Sequence, residues 1–221
     1  CLWAVMTGRR LYVVLIGATA RLAAKSLQKI KTELATNELL ANDFPEVCFP
    51  IRQLQNITNR AKGQTYRGQP TQIEWTKDTL ALPNIPGSRA AGALLSSFGL
   101  TGAIRGLSHV RADGNVVRPS LVLLDDPQND KSAKSVTMCE DRIQLIQGAV
   151  LGMAGPGETI TAVMPCTVIR RGDVADTFLD REKNPEWTGE KFKLLYALPT
   201  NLELWEEYRQ LRKNELRLGG D

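Results

Sequence analysis

Apolar residues along this chain fall into two rhythms. The first is the short unbroken run. "LYVVLIG" at 11–17 is continuous and rich in β-branched residues, which predicts a strand buried on both faces. "SLVLLD" at 120–125, "TITAVMP" at 159–165 and "KFKLLYAL" at 191–198 read as further strands. The second rhythm has helical spacing. Leu22, Leu27, Ile30 and Leu34 recur along one face of the segment that follows the first strand. Residues 132–154 are helical in pattern, and Gly155-Pro156-Gly157 supplies the stop. "GDVADTFLDR" predicts a short helix, and "LELWEEYRQLRKNELR" at 202–217 a longer one of mixed charge. "QIEWTKDTLALPN" at 72–84 reads as a hairpin turning near Lys77-Asp78. Strands alternating with helices predict an α/β fold, a mostly parallel sheet flanked by helices.

Composition narrows this picture only a little. The chain has 221 residues, 43% hydrophobic and 24% charged, which is the balance of an ordinary globular domain. A net charge of +4 is compatible with a polyanionic partner without requiring one. Cys1, Cys48, Cys139 and Cys166 form no CxxC pair and read as free thiols. His109 is the single histidine, so any Ser-His-Asp chemistry must use it. The longest apolar runs are too short to span a bilayer. "CLWAVMTGRR" reads as the tail of a helix, with Gly8 as stop residue and Arg9 and Arg10 suited to a helix C-terminus. A helix met at its end gives the expectation that the chain is an internal fragment of a longer protein. The four tryptophans, Trp3, Trp75, Trp187 and Trp205, lie in structured segments and read as packing residues.

The candidate chemistry lies at strand ends. In open parallel sheets ligands bind beyond the carboxyl ends of the strands. Gly17-Ala18-Thr19, Asp125-Asp126 and Cys166-Thr167 would converge there if their strands are neighbours. Adjacent carboxylates at such an end suit a divalent cation, one acid holding the Mg²⁺ shell and its neighbour orienting a water. Asp-Asp-Pro is equally good turn chemistry, and a solvated strand end holds two charges at little cost. A phosphate cradle does not accompany the pair. "GATARLAAKS" at 17–26 ends in Lys25-Ser26, but Lys25 follows Ala24 and stands eight residues after Gly17, where a P-loop needs six and a glycine. Lys25 therefore reads as a solvated helix residue.

Several segments together resemble the large terminase subunit of tailed phages and prophages. They are "LYVVLIGATARLAAKSLQKIKTEL", "TLALPNIPGSRAAG", "GAIRGLSHVRADGNVVRPSLVLLDDPQND", "ITAVMPCTVIRRGDVADTFLDR" and "LWEEYRQLR", in order along nearly the whole chain. The resemblance implies a P-loop NTPase core of the ASCE type lacking its first strand and P-loop, with ATP and Mg²⁺ as cofactors. On this likeness Asp125 matches the acid that coordinates Mg²⁺ through its shell. Asp126 matches the catalytic carboxylate, which is often Glu in this class. Thr167 matches the polar residue of the coupling motif, where Cys166 stands in a position that is often Gly. Residues 1–198 would be a partial ATPase domain, and 199–221 a linker helix toward a nuclease domain beyond Asp221.

The implied partners are double-stranded DNA, the portal or procapsid, a small terminase subunit, and further copies of the chain in a ring. The implied location is the cytoplasm of an infected or lysogenic bacterial host. Arg105, flanked by Gly102 and Gly106, and Arg118 are candidate arginine fingers, though either also reads as a solvated side chain. Residues 47–73 and 79–112 contain no acid, which suits a surface that tracks phosphates. Arg60, Lys62 and Arg67 are the candidate DNA contacts. A helicase-like translocase of the same P-loop class and a degenerate DNA-binding module are the alternative readings.

Overall fold

The computed structural model describes residues 1–102, 104–111, 114–155 and 157–219. Pro156, read above as part of a helix stop, lies outside them. The chain divides into two compact units, Cys1–Phe178 and Leu179–Asp221. The linker helix expected at 199–221 lies within the second.

The first unit is built on a six-stranded sheet. Its strands are β1 (Tyr12–Gly17), β4 (Glu74–Trp75), β5 (Thr79–Ala81), β6 (Leu94–Gly99), β9 (Leu121–Asp125) and β10 (Thr161–Val163). Two small hairpins lie outside the sheet, β2 (Thr65–Tyr66) with β3 (Gln69–Pro70) and β7 (His109–Val110) with β8 (Val116–Val117). The strand order is β10-β9-β1-β6-β5-β4. The first four are mutually parallel, and β5 and β4 add an antiparallel edge. The fold is thus α/β with a mostly parallel sheet flanked by helices, as the alternating pattern predicts.

All six residues of β1 are buried, as expected of an apolar run with strands on both sides. Val13 and Leu15 belong to a core shared with Leu27 and Leu34 of α2 (Ala20–Thr36). Val47, Cys48 and Ile51 of α4 (Pro45–Gln53) join the same core. Val14 and Ile16 face the other way and are also inaccessible, so both faces of the sheet are covered. The remaining helices of this unit are α1 (Leu2–Met6), α3 (Glu38–Asp43), α5 (Asp130–Ala133), α6 (Val136–Leu145) and α7 (Val174–Phe178). The helical segment read at 132–154 is interrupted after α5. Beyond α6 it continues as a π turn at Ile146–Val150 and a 3-10 turn at Leu151–Met153.

The central strand β6 lies in a stretch to which the sequence reading assigned no element; Ser96 and Ser97 interrupt its apolar run, and both serines are buried in the sheet. Two sequence expectations are corrected. Residues 191–198 form no strand. They have no ladder to join, and Leu194 and Tyr196 stand in solvent. Trp75 is buried, but Trp3 and Trp205 are exposed, Trp3 lying under the Arg9 guanidinium and Trp205 edge-on to Tyr208. Among the described residues of the second unit the one helix is α8 (Leu202–Arg217). Its amino end is capped by the Asn201 side chain, which accepts from the Leu204 N–H at 3.1 Å. Among the described residues no helix is long and apolar enough to cross a membrane.

Candidate functional site at the strand ends

The three polar strand ends do converge. Parallel register sets Gly17 opposite Gly99 on one side and opposite Asp125 on the other, so β6, β1 and β9 finish level. Glycine at two of these ends lets a helix approach. A Cβ on Gly99 would lie 2.6 Å from the Ala20 nitrogen, and one on Gly17 would lie 2.9 Å from that of Ala23. The first turn of α2 therefore rests on the ends of β1 and β6, where Thr19 caps it by accepting from the Leu22 N–H at 3.3 Å. Its next turns carry Ala23, buried, and Ser26 on one face, seven residues from cap to serine. The Ser26 hydroxyl donates to Asp125 Oδ2 at 2.8 Å.

Asp126 follows in the left-handed region, at φ 47°, which is unusual for a residue other than glycine. Its backbone N–H donates to the Pro165 carbonyl at 3.1 Å and so extends the pairing of β9 with β10 past the end of the strands. Burial raises the Asp126 pKa above the usual carboxylate value. The neighbouring Thr167 backbone N–H opposes that rise, while the charges of Asp125 and Asp130 add to it. Cys166, beside this carboxylate, is pushed up to about 11, first by burial and then by the charges of Asp126 and Asp173. Its thiol stays protonated at neutral pH.

Asp125, Asp126 and Thr167 are thus brought together, and Ser26 joins them. The other sequence candidates lie elsewhere. Arg105 is exposed in the loop leaving the carboxyl end of β6, the same end of the sheet as Asp125. Arg118 is exposed before β9, at the opposite end of the strand from Asp125. Arg60, Lys62 and Arg67 are exposed near the antiparallel edge, where the 3-10 turn Thr58–Ala61 packs on β4. Arg67 covers the Tyr66 ring at 5.3 Å. Lys25 is exposed on α2, as its spacing predicted.

Among the described residues no three or more His, Cys, Asp or Glu side chains cluster to hold a metal ion. Mg²⁺ does not need such a cage. It is commonly held by one or two carboxylates, with waters and substrate phosphates completing its shell. Asp125 with the Ser26 hydroxyl is a donor set of that kind, all oxygen, so this side of the site fits a Mg²⁺-bound phosphate. Ser26 was missed because it was judged only as part of a P-loop. Helical spacing places Ser26 on the face of Thr19 and Ala23, but only the packing of α2 on the strand ends brings it to Asp125. The chain matches no protein-family model and no curated protein.

Proposed function

We propose that this chain is most of the ATPase domain of a DNA-packaging motor, the large terminase subunit, with an ASCE-type P-loop core. The observation that carries the reading is the meeting of Asp125, Asp126, Ser26 and the Thr167 peptide beyond the ends of adjacent parallel strands. Mg²⁺-ATP, when bound, supplies the phosphoryl group and the counter-charge that two adjacent carboxylates require. Asp125 and Ser26 hold the Mg²⁺ side. Asp126 orients the attacking water and takes up its proton, and its raised pKa suits it to that task. Thr167, whose backbone N–H lies beside this carboxylate, would pass its state to the segment that follows.

The reading requires a phosphate cradle from outside these 221 residues, because Gly-x-x-x-x-Gly-Lys-Ser/Thr does not occur within them. The outer edge of β10 supports such an addition. It is the last strand of a parallel sheet, yet Thr161 and Val163 are exposed and its far side carries no partner strand among the described residues. Of the two arginines, Arg105 starts from the correct end of the sheet to serve its own subunit's site, and Arg118 would act only on a neighbour in a ring. The exposed bases at 60–67 would follow DNA phosphates. Portal or procapsid, small subunit and host cytoplasm follow from the same reading.

The test is DNA-stimulated ATP hydrolysis by the full-length gene product. Asp126→Asn lowers kcat by about 100-fold or more, and Asp125→Asn weakens the dependence on Mg²⁺. Wild-type hydrolysis by Asp126→Asn would sink the assignment. DNA binding without any nucleotide effect would favour a degenerate binding module.

A further inference from the structure

The segment after β9 and the segment after β10 are tied by two side chains that the proposed chemistry does not use. Gln128 is 1% exposed and Asp173 is fully buried. Gln128 Nε2 donates to the Thr167 carbonyl at 2.7 Å and to Asp173 Oδ2 at 3.0 Å. Its Oε1 accepts from the Val174 N–H at 3.0 Å. Both donors and the oxygen of this amide are therefore engaged. Asp173 also accepts from the backbone N–H groups of Ile169 at 2.7 Å, Arg170 at 3.0 Å and Asp176 at 2.9 Å.

Only one of these bonds is needed to start a helix. Asp173 precedes α7, and its bond from Asp176 is an ordinary N-cap. The others reach away from the helix, to 169–170 and to the loop that carries Asp126. A buried carboxylate is costly unless it is hydrogen-bonded, and the engagement of both oxygens offsets that cost. The network also meets a local need. Asp126 is held at a positive φ, a conformation that persists only when its surroundings over-determine it. Two residues on, Gln128 anchors that loop to the carbonyl of Thr167, and the Asp126 N–H itself donates to the Pro165 carbonyl at 3.1 Å, so the two loops are tied on both sides of the carboxylate.

We propose that Gln128 and Asp173 are positioning residues, a clamp that fixes the Thr167 peptide against Asp126 so that both move as one body with the first turn of α7. Neither touches the reacting atoms. The role rests on Asp126 being the carboxylate that serves ATP hydrolysis, and the test separates the two ideas.

Gln128→Met in the full-length gene product keeps the side-chain length and removes all three amide bonds. The carboxylates beside Asp126, Asp125 and Asp130, are unchanged. The expected result is a kcat for ATP hydrolysis about 100-fold lower with KM within about twofold, as misplacement of a reacting group predicts. Hydrogen exchange of 126–129 and 166–176 speeds up together, while 12–17 stays protected. Should the methionine variant fail to fold, Gln128→Asn, one methylene short, carries the same readouts. A kcat unchanged from wild type, or wild-type protection at 166–176, overturns the clamp. If the wild-type protein hydrolyses no ATP, the function falls and exchange alone decides: joint loss of protection supports the clamp, and retained protection overturns it.

Discussion

Residues 12–17 and residues 191–198 carry similar apolar content and have opposite fates. In the first, Val13, Val14 and Ile16 are wholly inaccessible. In the second, Phe192, Leu194, Tyr196 and Leu198 are all exposed. The contrast extends to the units that contain them. Among the described residues of 179–219 only Asn184 is buried, although α8 carries Leu204, Trp205, Tyr208 and Leu211. An apolar run records what would gain from burial; it does not supply the neighbours. β1 has a parallel strand on each side and α2 over one face, whereas 191–198 has no ladder to enter.

The largest test of that contrast removes one leucine from each unit. Leu15→Ala should cost about 3 kcal/mol in chemical denaturation, since it empties a filled site between sheet and α2. Leu211→Ala should change stability by no more than about 0.5 kcal/mol. A comparable loss at Leu211 would mean that α8 is covered in solution, and the contrast would fail.

A charged side chain sharpens the comparison at intermediate size. Lys31 is buried in the first unit, donates to the Thr76 carbonyl and lies 4.8 Å from the Trp75 ring centroid. Burial lowers its pKa to about 8, against the smaller pull of Asp78 and Glu74. Its folded pKa is below the unfolded one, so the native state binds fewer protons and stability rises with pH between about 8 and 10.5. The gain should reach about 2 kcal/mol and vanish in Lys31→Met. Melting curves across this range, with a slope surviving in Lys31→Met, would reject the assignment.

The smallest effect concerns the site itself. The Asp126 pKa is raised in the folded chain, so the native state binds more protons and stability falls as pH rises from below 3.8 through the folded value. Asp126→Asn should therefore stabilise the protein at neutral pH, by roughly 0.5 kcal/mol because solvent screens an exposed carboxylate. It does so while removing the proposed activity. A variant less stable than wild type would indicate that this carboxylate is structurally required.

Much of the site was legible before the fold. Asp125-Asp126 at the end of an apolar run, Thr167 after another, and a capped helix after Gly17 are local patterns with physical meanings. Asp173 also had a signal, a polar residue just before an apolar helical stretch. Gln128 had none. A glutamine after a proline is an ordinary loop residue until Thr167 and Asp173 are found against it. β6 escaped because two serines resemble a loop in sequence, although buried serines can be hydrogen-bonded within a sheet.

The sequence by itself determined the buried strands β1 and β9, the helix after Gly17 with its capped start, the hairpin at 74–81 and the placing of polar groups where strands stop. Those features depend on spacing and on backbone preference, which are local. Tertiary structure alone decided that β10, β9, β1 and β6 are neighbours, and hence that the polar ends meet. It also decided that Ser26 faces Asp125, that Gln128 faces Thr167, and that 191–198 joins no sheet. Each of these depends on which surfaces meet, and long-range contacts are chosen by packing and hydrogen-bond satisfaction across the whole core.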